Sequence, residues 1–141
     1  LAGGRIAVPG FVEKYERLLA SATVMAVPLR VGGGMRVKLL EFFAYAKAVV
    51  STPVGAEGNE AQDGSELLLA GDADAFADAV VRLLKNPDLA AEMGLRARAL
   101  AERRYAWSGI AAAFERAYHD AIAIRQREPD IHPPEQSDPS P

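Results

Sequence analysis

The residues best suited to chemistry gather between Gly32 and Glu41, in the stretch GGGMRVKLLE. Three successive glycines, Gly32, Gly33 and Gly34, allow a backbone to approach a ligand closely. A helical pattern opens behind them, and its start carries two cations, Arg36 and Lys38. Helix starts usually carry Asp or Glu, because their first N–H groups are unpaired and bear partial positive charge. Two readings fit. In one, both cations snorkel to water and Lys38 pairs with Glu41 at i, i+3, worth a few tenths of a kcal/mol. In the other, the glycine run, the free N–H groups and the two cations together hold an anion such as a phosphate. Glu41 is compatible with either. Nearly two turns into a helix starting at Met35, it stands roughly 9–10 Å along the axis, about the span from a diphosphate to the ribose hydroxyls of a nucleotide. The run is neither of two familiar glycine loops. It lacks G-K-[ST], and it lacks G-x-G-x-x-G with an acid closing the next strand.

Other reactive groups are few. Glu57 sits in a polar loop, VGAEGNEAQDGSE, that opens on the same sheet edge as the glycine run, so it is a candidate ligand contact beside its plainer reading as a solvated loop carboxylate. His119 and His132 have no ligand spacing between them, and the chain has no cysteine, so neither a metal site nor thiol chemistry is expected. Ser51, Thr52 and Ser108 have no His beside them in any nucleophile motif. RARALAERRY reads as a solvated basic helix face, since no aromatics interleave it.

These groups need a scaffold. Arg5–Gly10 and Thr23–Leu29 are short apolar runs closed by proline, and Ala48–Thr52 is a third, stopped by Pro53. Helical spacing covers Val12–Ala22 and roughly Met35–Ala46, the second apolar nearly all round and therefore expected to be buried. Continuous apolar strands alternating with helices predict a parallel sheet covered on both faces. Leu67–Ala70 is a last short strand. A helical C-terminal part follows: one helix capped by Asp72 or Asp74 with Phe76, Val80, Leu83 and Leu84 inward, one opened by Pro87, and one capped by Ser108. Residues 126–141 hold five of the nine prolines and few apolar side chains, so they are expected to form a disordered tail after a domain of residues 1–125.

The 141 residues carry a net charge of -3, which gives no general attraction to nucleic acid or anionic lipid. No run is apolar enough to span a membrane. The first residue is leucine, not methionine, and the chain reads as a fragment truncated at its N-terminus and cytoplasmic in location.

The stretch PLRVGGGMRVKLLEFFAYAKAVVSTPVGAEG closely resembles the donor-binding half of the large retaining glycosyltransferase family with GT-B architecture, and the likeness runs from about Ile6 to Ala123. The resemblance implies one of two Rossmann-like domains, a nucleotide-diphosphate sugar as co-substrate without metal, and an unidentified acceptor held by an N-terminal domain of the same full-length chain, which makes Glu57 a candidate sugar or acceptor contact. In the family's E-x7-E pattern Glu41 matches the second Glu, which meets the ribose. Gly34 and the backbone of Met35, Arg36 and Val37 match the segment at the donor diphosphate, while Phe11 and Val12 match the loop at the nucleobase. Gly33 stands where the pattern has its first Glu, the sugar contact. That departure leaves a second expectation open, a nucleotide-sugar-binding or scaffold domain without catalysis.

Overall fold

The computed structural model describes residues 6–127, in two compact units that divide between Tyr105 and Ala106. The first unit holds three parallel strands in the order β1-β2-β3: Val24–Val27, Ala48–Ser51 and Leu68–Leu69. Four helices accompany them: α1 Glu16–Ser21, α2 Val37–Ala44, α3 Ala73–Lys85 and α4 Pro87–Tyr105. The α/β class with a parallel sheet and a helical C-terminal part is as expected.

Central β2 explains the layering. Side chains alternate faces along a strand, and all four β2 residues are buried. Val49 joins a core with Leu39, Phe42 and Phe43 of α2 and Ala97 and Leu100 of α4. Ala48 and Val50 join another with Leu83 of α3 and Met93 of α4. Both faces are thus covered, and α4 serves both cores. Its Gly94 is required by close approach, since a Cβ there would lie 2.1 Å from the Ala46 carbonyl oxygen.

Several local expectations change. Residues 6–10 form no strand, and Ile6 and Val8 are exposed, because no described strand lies beside them to complete a ladder. β1 is only partly buried because β2 is its sole described neighbour. The second helix begins at Val37, not Met35, and is buried on one side only, with Val37 and Ala44 exposed. Leu84 points outward on α3. In the second unit α5 spans Trp107–Arg127. Ser108 lies inside its first turn and not at its cap, since Gly109 N and Ile110 N already donate to Ala106 O. α5 also takes in residues 126 and 127 of the expected tail, and the rest of that tail, with His132, lies outside the described residues.

Asp72, one of two expected caps, is the one used: its Oδ1 accepts from Ala75 N at 2.8 Å. Asp72→Ala should cost about 1 kcal/mol, seen as a melting temperature roughly 4–8 °C lower. Nucleotide affinity should not move, because α3 covers the sheet face opposite α2.

Candidate functional site

Loops after the three strands gather at the carboxyl edge of the sheet. The loop after β1 carries the glycine run. Gly32 and Gly34 take φ of 137° and 79°, conformations that side chains rarely adopt. Arg36 is the N-cap of α2, in extended conformation, and not a first-turn residue. No side chain caps the helix, and its first turn has no acid. Instead Arg36 folds back over the run. Its Nη1 donates to Gly33 O at 3.1 Å, and its Nη2 stands where a Cβ on Gly32 would be. Nε and Nη2 are buried with no hydrogen-bond partner. Unpaired buried donors are costly, so this end of the guanidinium is poised for an acceptor.

Lys38 Nζ lies 2.8 Å from Glu41 Oε2, with the side chains 60% and 29% exposed. The ion pair offered by the sequence as the plainer account of Glu41 is therefore formed. Lys38 also stands 4.5 Å from the centroid of the Tyr15 ring, a cation–π distance. Starting from Val37, Glu41 is only about 6 Å along the helix axis, less than the span expected. Its distance to a phosphate must be counted from the glycine run, which precedes the helix.

The Tyr15 contact ties the stretch that follows Phe11 and Val12 to α2. Phe11 is 94% exposed and Val12 half-buried. Lys47 holds this arrangement, since its Nζ donates to Ala20 O at 2.8 Å and Ala22 O at 3.1 Å and so caps the end of α1.

The loop after β2 braces the segment that leads from β1 into the run. Thr52 N donates to Val27 O at 3.2 Å, Thr52 Oγ1 donates to Leu29 O, and Gly55 N donates back to Thr52 Oγ1 at 3.0 Å. Gly58, with φ of 81°, lies against Met35: a Cβ would stand 2.9 Å from Met35 Cα and 3.0 Å from its N. Glu57, next to it, is exposed. Sequence reasoning missed Tyr15, Thr52 and Gly58 as supports. Each meets its partner across more than 20 residues of chain, and only the glycine at 58 was a local signal.

A hollow of 710 Å³ lies at the same edge beside the start of α3, lined by Leu29, Thr52, Pro53, Asp72 and Phe76 among others. Of its polar side chains Thr52 is engaged by the loops and Asp72 by its helix, while Arg30, also in the lining, has no hydrogen bond or ion pair among the described residues. Arg36 leaves two donors without an acceptor at the glycine run, and the candidate site is placed there. Among the described residues no cluster of three His, Cys, Asp or Glu side chains is built to hold a metal, and no helix is long and apolar enough to cross a membrane.

A parallel sheet covered on both faces, with its loops gathered at the carboxyl edge, is a Rossmann-like arrangement, the kind that makes up each half of a GT-B fold. Residues 1–86 match the family described as Glycosyl transferases group 1, and the chain belongs to that family. It is 37% identical over 102 residues to a phosphatidyl-myo-inositol mannosyltransferase of Mycobacterium leprae, covering 71% of this chain and 27% of that protein. Its fold is similar to that of sucrose-phosphate synthase from Thermosynechococcus elongatus, with a TM-score of 0.67 at 23% identity over 78% of this chain and 28% of the other. The chain spans little more than a quarter of either relative.

Proposed function

We propose that this chain is the donor-nucleotide domain of a retaining, metal-independent glycosyltransferase that moves a sugar from a nucleotide diphosphate to an acceptor. The observation that carries the reading is Arg36, whose guanidinium lies over the glycine run with two buried nitrogens unpartnered at a helix start that lacks an acid. A diphosphate supplies both missing acceptors and missing negative charge. The N–H groups of Gly34 to Val37, with Arg36 and Lys38, bind its oxygens, and Glu41 turns from Lys38 to the ribose hydroxyls. As the sugar leaves, charge grows on the diphosphate, and donors already in place stabilise it most. An oxygen of the donor phosphate assists the acceptor's attack on the face the leaving group vacates, which retains configuration. The segment of Phe11 and Val12 faces the nucleobase.

The acceptor is held by a further domain, in keeping with a chain that spans 27% of a mannosyltransferase. Residues 1–141 alone should therefore bind a nucleoside diphosphate, measured by calorimetry, yet transfer no sugar. Transfer by this chain in isolation would overturn that division of labour. A second reading, nucleotide-sugar binding without catalysis, is favoured by Gly33, which offers no carboxylate eight residues before Glu41. Donor hydrolysis by the full-length protein separates the two: turnover supports the enzyme, and tight binding without turnover supports the binding domain.

A further inference from the structure

The hollow beside the start of α3 has the size and lining of a ligand site. Its 710 Å³ falls within the roughly 300–1,000 Å³ of small-molecule pockets. Leu29, Pro53, Val54 and Phe76 give it apolar walls, and a loop after each of the three strands contributes to them. Hydrogen bonds fix all three loops. Thr52 Oγ1 donates to Leu29 O and accepts from Gly55 N, Ala70 N donates to Ser51 O at 2.9 Å, and Asp72 Oδ1 accepts from Ala75 N. One charged group in the lining is not used in this way. Arg30 makes no hydrogen bond or ion pair among the described residues, although the Asp72 carboxylate lines the same hollow. Its guanidinium therefore keeps five donors for an anion.

From the cavity and its cation we propose that the hollow is a second ligand subsite, and that it takes an amphiphilic anion. An apolar chain or ring lies against Leu29, Val54 and Phe76, and the anionic head sits on Arg30. Removing the apolar part from water drives entry, and the planar guanidinium matches two oxygens of the head. A neutral apolar molecule would leave Arg30 unused, and a bare anion would leave the walls uncovered. The subsite is distinct from the start of α2. Ala48 and Val50 pack toward α3 and Val49 toward α2, so the two places belong to opposite faces of the sheet. The loop after β1 joins them. Arg30 and Gly32 are two residues apart, which puts their Cα atoms no more than about 7 Å from each other. A molecule in the hollow borders the glycine run without occupying it.

The test titrates the full-length protein by calorimetry with octyl phosphate below its micellar concentration, and with octyl glucoside and inorganic phosphate. Octyl phosphate should bind at least tenfold more tightly than either of the others. Arg30→Gln changes an exposed side chain that holds nothing else, so its melting temperature should match wild type. Its affinity for octyl phosphate should fall about tenfold, as for loss of a charged hydrogen bond. Ala77→Leu fills the hollow from an exposed position of α3, where leucine is a good helix former, and should lower the same affinity by a similar factor. Binding of UDP, GDP or ADP should be the same in both variants as in wild type, and octyl phosphate should bind equally well with a diphosphate present. Failure of wild type to bind octyl phosphate, or equal binding by wild type and both variants, would overturn the inference. So would competition between octyl phosphate and a diphosphate, which would give Arg30 to the donor site. Should octyl phosphate bind as described while none of the diphosphates binds, the subsite stands and the nucleotide reading alone fails.

Discussion

Glu41→Ala should weaken nucleoside-diphosphate binding by about 1.5–3 kcal/mol, the range for hydrogen bonds to a charged group. In the ligand-free chain Glu41 is paired with Lys38 on a half-exposed helix face, and such a pair contributes only a few tenths of a kcal/mol. Stability should therefore change little when Glu41 is removed. Ligand binding draws on more. If the carboxylate accepts ribose hydroxyls, a 2′,3′-dideoxy diphosphate should bind wild type and mutant alike, because the partner groups are gone from both cycles. Calorimetry with the two ligands and two proteins forms a double-mutant cycle that isolates this contact. A mutant that melts lower but keeps wild-type affinity for the ribonucleotide would leave the Lys38 pair as the whole role of Glu41.

The legibility of this molecule follows distance along the chain. Ala48–Thr52 is a short apolar run stopped by Pro53, and its residues Ala48–Ser51 form a strand buried on both faces. Asp72 and Pro87 are local signals, and they open α3 and α4 as expected. α2 was harder to read. Its apolar residues surround the wheel, yet Val37 and Ala44 stay exposed because tertiary packing reaches only the side that meets β2 and α4. The apolar run before Gly10 has strand composition and no partner among the described strands, and composition alone cannot supply a ladder. At the site, the glycine run and its cations were visible as a pattern within ten residues. What braces them was not: Tyr15 reaches Lys38 over 23 residues of chain, and Gly58 reaches Met35 over a similar separation. Such contacts are set by the order of parallel strands, whose loops meet only after the sheet has formed.

Arg36→Gln should have opposite effects on the empty and the loaded protein. Without ligand, the guanidinium faces the positive end of α2 and buries two donors with no acceptor. Removing it relieves both costs at the loss of one exposed bond to Gly33 O, so stability should be unchanged or rise by roughly 0.3–1 kcal/mol. With a nucleoside diphosphate present, the same change removes charge-assisted bonds and should weaken binding by about 1.5–3 kcal/mol. The ligand's upward shift of the melting temperature shrinks in proportion, since that shift reports the affinity for the folded state. Lys38→Gln should lose affinity in the same direction. Its effect on the empty protein should be near zero, because relief from the helix dipole is offset by losing Glu41 and the Tyr15 ring. Neither loss should appear with the plain nucleoside, which brings no phosphate. Thermal melts and calorimetry of both variants with diphosphate and nucleoside decide the matter. Variants that are destabilised when empty and bind the diphosphate normally would make both cations structural, and the anion site would have to be sought elsewhere on the sheet edge.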